Sequence, residues 1–143
     1  MGILIYAEVE KGKLKKDCFE LASYASQIAD IFSFEVHAVC FNADNPEELS
    51  NYGIKKIYNY RNKNYFNFDA TIYSDYISKI FIKKFRFLIL SSSSNSRYLG
   101  GILSITLNAS YISNVISKFE SNSSIKVIRN SFTNKAFETV EAL

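Results

Sequence analysis

Four short apolar runs, each followed by a helical pattern, constrain this chain more than any other feature. Gly2–Ala7, Phe34–Phe41, Ile54–Tyr58 and Phe85–Leu90 are nearly continuous apolar or β-favouring stretches of strand length. Runs of that kind fit parallel strands buried on both faces, whereas half-exposed strands alternate apolar with polar residues. Between them, Leu21, Ala22, Ala25, Ile28 and Ala29 recur at helical spacing, as do Ile72, Tyr73, Tyr76, Ile77, Ile80 and Phe81, leaving Asp75, Lys79 and Lys83 on the wet side. Asp17, three residues before Glu20, reads as a capping-box start. Asn45-Pro46-Glu47-Glu48 reads as N-cap, first helical residue and two acids, closed by Gly53. Asp69 reads as the cap of the next helix, and a further helix is expected from Arg97 to Leu107, with Leu99, Ile102, Leu103 and Ile105 or Thr106 inward and Asn108 at its end. Glu8–Lys16 reads as a loop.

Strand and helix thus alternate four times, which predicts an α/β fold: three layers, a mostly parallel Rossmann-like sheet, right-handed crossovers. The pattern then changes. Tyr111–Phe119, Ser124–Asn130 and Lys135–Val140 read as a β meander with turns at Glu120–Ser123 and Ser131–Asn134, extending the sheet or forming a flap on it. At 143 residues, 48% of them apolar, the chain has the size and composition of one folded domain, 1–143. It contains no apolar run of the ~18 residues a membrane span needs. Its N-terminus carries no basic segment before the apolar run, so the expected compartment is the cytoplasm. The net charge of +3, with scattered lysines, gives no footprint for nucleic acid. Cys18, Cys40 and the single His37 lack metal spacing; the cysteines read as small buried hydrophobes and His37 as a packed strand residue.

In an open parallel sheet, ligands bind beyond the carboxyl ends of the strands, where the strand order reverses. Those ends are Tyr6-Ala7-Glu8, Cys40-Phe41-Asn42 and Leu90–Ser96. The serine run Ser91–Ser96 joins a strand to a helix start, where small residues let amides approach an anion and Arg97 can pair with phosphate. A nucleotide phosphate cradle is one reading; an N-cap followed by a solvated turn is the other. The candidate adenine-nucleotide site comprises Ala7, Glu8, Phe41, Ser91, Ser94, Ser96 and Arg97. Glu8 and Glu10 read as wet loop acids rather than a catalytic pair. Tyr58, Tyr60, Arg61, Lys63, Tyr65 and Phe66 form an aromatic-basic patch, better suited to packing on the next helix or a partner than to stacking on bases. No Walker or Gly-x-Gly-x-x-Gly loop and no nucleophile elbow occurs, so the chain is not expected to be an enzyme.

Several segments carry a resemblance. Ile3-Leu4-Ile5-Tyr6-Ala7-Glu8 with Gly12-Lys13-Leu14, Tyr52-Gly53-Ile54-Lys55-Lys56-Ile57-Tyr58, Ser94-Asn95-Ser96-Arg97-Tyr98-Leu99, Leu107–Val115 and Arg129–Val140 resemble, in order, segments of electron transfer flavoprotein alpha subunits. The departures are Ser96 for a glycine, Tyr98 for an aspartate, Gly101 for a proline, Asn108 for a glycine, Asn114 for an aspartate, Asn130 for a proline and Thr133-Asn134 for a glycine pair. The resemblance implies the family's N-terminal domain, which is adenine nucleotide alpha hydrolase-like in fold. It implies a scaffold or docking role against a beta-type subunit or a separate FAD domain. In the family most of the FAD sits in a C-terminal domain, and the related beta subunit holds AMP at the analogous sheet end. This chain ends before such a FAD domain, so the expectation is a lone N-terminal domain that binds no flavin by itself. The alternative is a free-standing module for AMP or ATP. Abundant Tyr and Phe also allow an exposed aromatic patch and a homodimer.

Overall fold

A computed structural model of the chain describes residues 2–63, 67–109, 120–121, 125–131 and 136–142. The four apolar runs become strands β1 (Gly2–Tyr6), β4 (Glu35–Phe41), β5 (Ile54–Tyr60) and β6 (Phe85–Ile89) of one parallel sheet, in the order β5-β4-β1-β6. Every residue of β1 is buried, because β1 is an inner strand with helices over both faces. Leu4 stands opposite His37 on one side and Leu88 on the other.

Alternate strand residues feed two cores. Ile3, Ile5, Ala7, Val36, Ala38 and Cys40 point to one face, under helix α1 (Asp17–Phe32) and the 3-10 helix Pro46–Tyr52. The residues α1 buries are Cys18, Ala22, Ala25, Ile28 and Ala29. Its alanines and cysteine let the helix lie close to the sheet, since they add little side-chain depth. Leu4, Tyr6, Val39 and Phe41 point to the opposite face, against Tyr73, Ile77 and Ile80 of α2 (Ala70–Lys84) and Leu99 and Leu103 of α3 (Ser94–Thr106). The result is the expected α/β fold of three layers.

Local chemistry explains most boundaries. Asp69 caps α2, its Oδ1 accepting from the Ile72 amide at 3.1 Å. Gly53 closes the 3-10 helix at φ +90°, in the left-handed region open to a residue without Cβ. On the wet side of α2, Lys79 and Asp75 form an i,i+4 ion pair at 3.0 Å.

The structure also corrects parts of the sequence reading. Glu8–Lys16 is not a plain loop: it contains a hairpin of β2 (Val9–Glu10) and β3 (Lys13–Leu14). Its two turn residues, Lys11 and Gly12, both have positive φ, as a primed two-residue turn requires. Asp17 does not cap α1. It is the first helical residue: the N-cap position falls on Lys16, which already has helical backbone angles and makes no side-chain cap, and the Cys18 and Phe19 amides donate to the carbonyls of Lys15 and Lys16. Asn45 makes no side-chain cap, and the Pro46 segment is a 3-10 rather than an α-helix. α3 begins at Ser94, earlier than expected, because Ser93 caps it, and Ile105 faces solvent.

The C-terminal strands β7 (Glu120–Ser121), β8 (Ile125–Ser131) and β9 (Ala136–Ala142) form an antiparallel three-stranded sheet of their own. Glu120 and Ser121, read as a turn, belong to its first strand. The expected strand Tyr111–Phe119 lies outside the described residues.

Candidate functional site at the switch point

From β1 the chain moves outward through β4 to β5, then returns to the other side of β1 with β6. The strand order therefore reverses between β1 and β6, and the crevice beyond their carboxyl ends is where such sheets hold ligands. One lip is Ala7 and Glu8. The other is the run from Leu90 to the first turn of α3.

Glu8 fills this crevice. It is only 3% exposed. Its Oε1 accepts from the hydroxyls of Ser91 at 2.7 Å, Ser96 at 2.5 Å and Ser93. Its Oε2 pairs with Lys15 Nζ at 2.9 Å. The Ser93 oxygen accepts in turn from the Ser96 amide at 3.1 Å, so one residue both caps α3 and holds the acid. The Glu8 carbonyl takes the Lys15 amide at 3.0 Å and the Cys18 thiol at 3.3 Å. Lys15 stands at the far end of the hairpin that Glu8 opens, so both ends of the hairpin are tied to one spot.

The electrostatics follow. Burial alone would raise the Glu8 carboxyl; hydrogen bonds from Ser93, Ser96, Ser91 and Lys15 outweigh it and hold the group down to about 2. The same contact raises the Lys15 ammonium above its ordinary value. Asp17 is pushed up, first by burial and next by the charge of Glu8, and its Oδ1 is buried without a hydrogen-bond partner. Glu8 is thus a fixed anion with its acceptor sites occupied, which is a poor general base and an obstacle to a second anion.

Of the residues read as a nucleotide site, Glu8, Ser91 and Ser96 meet in the crevice, beside the wholly buried Ala7. Phe41 lies in the core against α2, stacked face to face on Tyr73 with ring centroids 3.8 Å apart. Ser94 and Arg97 are exposed on the first turn of α3. The sequence reading missed Lys15 and Ser93. The signal for Lys15 was its place just past a Gly12 turn, which folds it back toward Glu8. Glu8 itself is not the wet loop acid its neighbours imply; Glu10 is exposed.

The other marked groups are structural. Burial pushes the Cys18 and Cys40 thiols up to about 12, which leaves them protonated and inert at neutral pH. His37 is buried, with Nε2 at 3.1 Å from Glu35 Oε2 and its ring edge-on to Phe85. Tyr60 packs on Phe41 and Tyr76, and Phe68 meets Tyr73 edge-on, so this part of the aromatic patch supports α2. Tyr65 and Phe66 lie outside the described residues. Arg61 donates to the Ala43 carbonyl at 2.8 Å. Asn59 makes a two-way contact with Ala43, and Asn42 with Asn62, extending the β4–β5 ladder by side chains. Among the described residues no cluster of three His, Cys, Asp or Glu side chains is placed to hold a metal, and no helix is long and apolar enough to cross a membrane.

A family model described as an electron transfer flavoprotein domain matches residues 3–143. The chain belongs to the electron transfer flavoprotein family. No curated protein matches it. Family membership ties this domain to electron transfer and to partners of the kind found in electron transfer flavoprotein assemblies. It also agrees with the colinear resemblance read from the Tyr6-Ala7-Glu8 strand end onward, where the structure places the crevice.

Proposed function

We propose that this chain is an alpha-type N-terminal domain of an electron transfer flavoprotein system, acting as a non-catalytic docking part. Its partner is a beta-type subunit or a separate FAD-binding domain, and the chain binds no flavin alone. The observation that carries this reading is the family match over nearly the whole chain combined with a ligand crevice filled by the chain's own carboxylate. A partner surface is at hand on α3. Tyr98 and Ile105, two helical turns apart on one face, are 66% and 83% exposed, and a Cβ at Gly101 between them would meet nothing within 4 Å.

Mixing the chain with a beta-type subunit at micromolar concentration should give a complex in analytical ultracentrifugation. Ile105→Asp should weaken that complex at least tenfold, the equivalent of about 1.4 kcal/mol, with an unchanged unfolding midpoint. Absence of any complex argues against the docking role, and an unaffected variant moves the contact elsewhere.

The free-standing nucleotide module is the second reading, built on Ala7, Glu8, Phe41, Ser91, Ser94, Ser96 and Arg97. Glu8 weighs against it, because phosphate would have to displace or face a buried anion. The purified chain should be colourless and should show no thermal shift with millimolar AMP or ATP. A nucleotide-dependent shift would restore the module reading, and a yellow preparation would end the claim of no flavin.

A further inference from the structure

We infer that Glu8 is the built-in ligand of an anion receptor, closing the crevice to external anions, and that removing its carboxylate leaves a space that takes a small carboxylate or phosphate in its place. The inference shares with the docking proposal the crevice filled by Glu8, but it needs no partner, so loss of the partner complex and loss of the anion response fail separately.

The receptor is assembled from two stretches of chain far apart in sequence. Ser91 and Ser93 come from the loop after β6, Ser96 from the first turn of α3, and Lys15 from the end of the hairpin. All four aim donors at one carboxylate. Ser96 is wholly buried, so when the carboxylate is lost its hydroxyl can turn only to the Ser91 oxygen 3.0 Å away, and the three hydroxyls and Lys15 together are left with more donors than acceptors. Buried donors without an acceptor are costly, and an acceptor supplied from solution recovers that cost. With Glu8 in place there is no such opening. Oε1 already takes three hydroxyl protons, Oε2 holds the ammonium, and a second anion nearby would meet a like charge in a poorly solvated place.

Glu8 also straps the hairpin. Val9–Leu14 leaves the crevice at Glu8 and returns at Lys15, and those two residues join by both an ion pair and a backbone hydrogen bond. The carboxylate is therefore part of the chain's own architecture and cannot leave without loosening the hairpin. An external anion would restore the receptor's charge balance in a variant that lacks it.

The test compares wild type, Glu8→Ala and Glu8→Gln by thermal unfolding in sodium formate, sodium phosphate and sodium chloride at matched ionic strength. Glu8→Ala should gain about 3–6 °C more in saturating formate than in chloride. Wild type and Glu8→Gln, whose crevices are filled, should respond to formate as to chloride. A matching gain in phosphate extends the receptor to tetrahedral anions; a gain in formate alone limits it to carboxylates. If Glu8→Ala is unfolded in chloride, folding on addition of formate or phosphate supports the inference equally. Indifference of Glu8→Ala to both anions, folded or not, overturns it. The wild-type chain supplies a second arm: its Ser91, Ser93 and Ser96 amide resonances should stay in place on phosphate addition, and a saturable movement overturns the claim that Glu8 closes the crevice.

Discussion

Phe41→Ala is expected to lower the unfolding free energy by about 3–5 kcal/mol, the largest single effect foreseen for this domain. Phe41 ends β4 and is 3% exposed. Its ring lies flat on Tyr73 at 3.8 Å, stacks more loosely on Tyr60 at 5.7 Å, and takes Tyr6 and Tyr76 edge-on, each at 6.3 Å. One ring therefore joins β1, β4, β5 and α2. Removing it leaves a cavity that four large aromatic rings cannot fill without leaving their rotamers, so the cost should fall toward the upper end. Against a typical total of about 5–15 kcal/mol, a marginal domain would lose much of its margin. In urea the midpoint should fall with the slope unchanged, while Tyr98→Ala, on the exposed face of α3, should stay within about 0.5 kcal/mol. The result also separates two roles. A ring that served a nucleotide at the sheet's end would be removed at little cost to stability. A loss below about 1 kcal/mol would therefore contradict the packing role given to Phe41 here.

The sheet was legible because its strands are buried on both faces. Gly2–Tyr6 and Glu35–Phe41 have no polar face to maintain, so their apolar runs stand out against the 3.6-residue pattern of α1 and α2. Asp69 was legible because capping is local: its partner, the Ile72 amide, is three residues away. The hairpin was hidden by its size. Strands of two residues show no alternation, and Lys11-Gly12 is not among the usual signals for a primed turn. Glu8 was hidden by distance. Its burial depends on hydroxyls from Ser91, Ser93 and Ser96, which reach it only once β6 has paired beside β1. A charge just past a strand reads as solvated until that neighbour is known. Arg97 shows the same limit on a smaller scale. One helical residue turns a side chain by about 100°, so a chain that aims Ser96 into the crevice directs Arg97 elsewhere.

Glu8→Gln is the second large effect, and its dependence on pH is its signature. At neutral pH the variant should be about 3 kcal/mol less stable than wild type, the free energy equivalent of a carboxyl held near 2 when folded against about 4.3 when unfolded. The folded group is depressed, so its contribution is fully present above the unfolded value and is lost as the pH falls from about 4.3 toward 2. The two stability curves should run parallel from neutral pH down to about 5 and then converge in acid. Lys15 sharpens the difference, since in the variant its ammonium faces a neutral amide in place of the Oε2 it pairs with. Asp17 runs the other way. Its carboxyl is raised, first by burial and then by the charge of Glu8, so it favours the folded chain more in acid than at neutral pH. The burial part is common to both proteins and cancels from their difference. The part due to Glu8 disappears with the charge, which recovers a little stability in the variant at neutral pH and makes the observed gap a lower bound on what the serines and Lys15 contribute. Equilibrium urea titrations across that pH range decide the matter. A gap below about 1 kcal/mol that does not change with pH would mean Glu8 behaves as an ordinary surface ion-pair partner. Its place at the reversal of strand order would then have no bearing on whether the crevice is open.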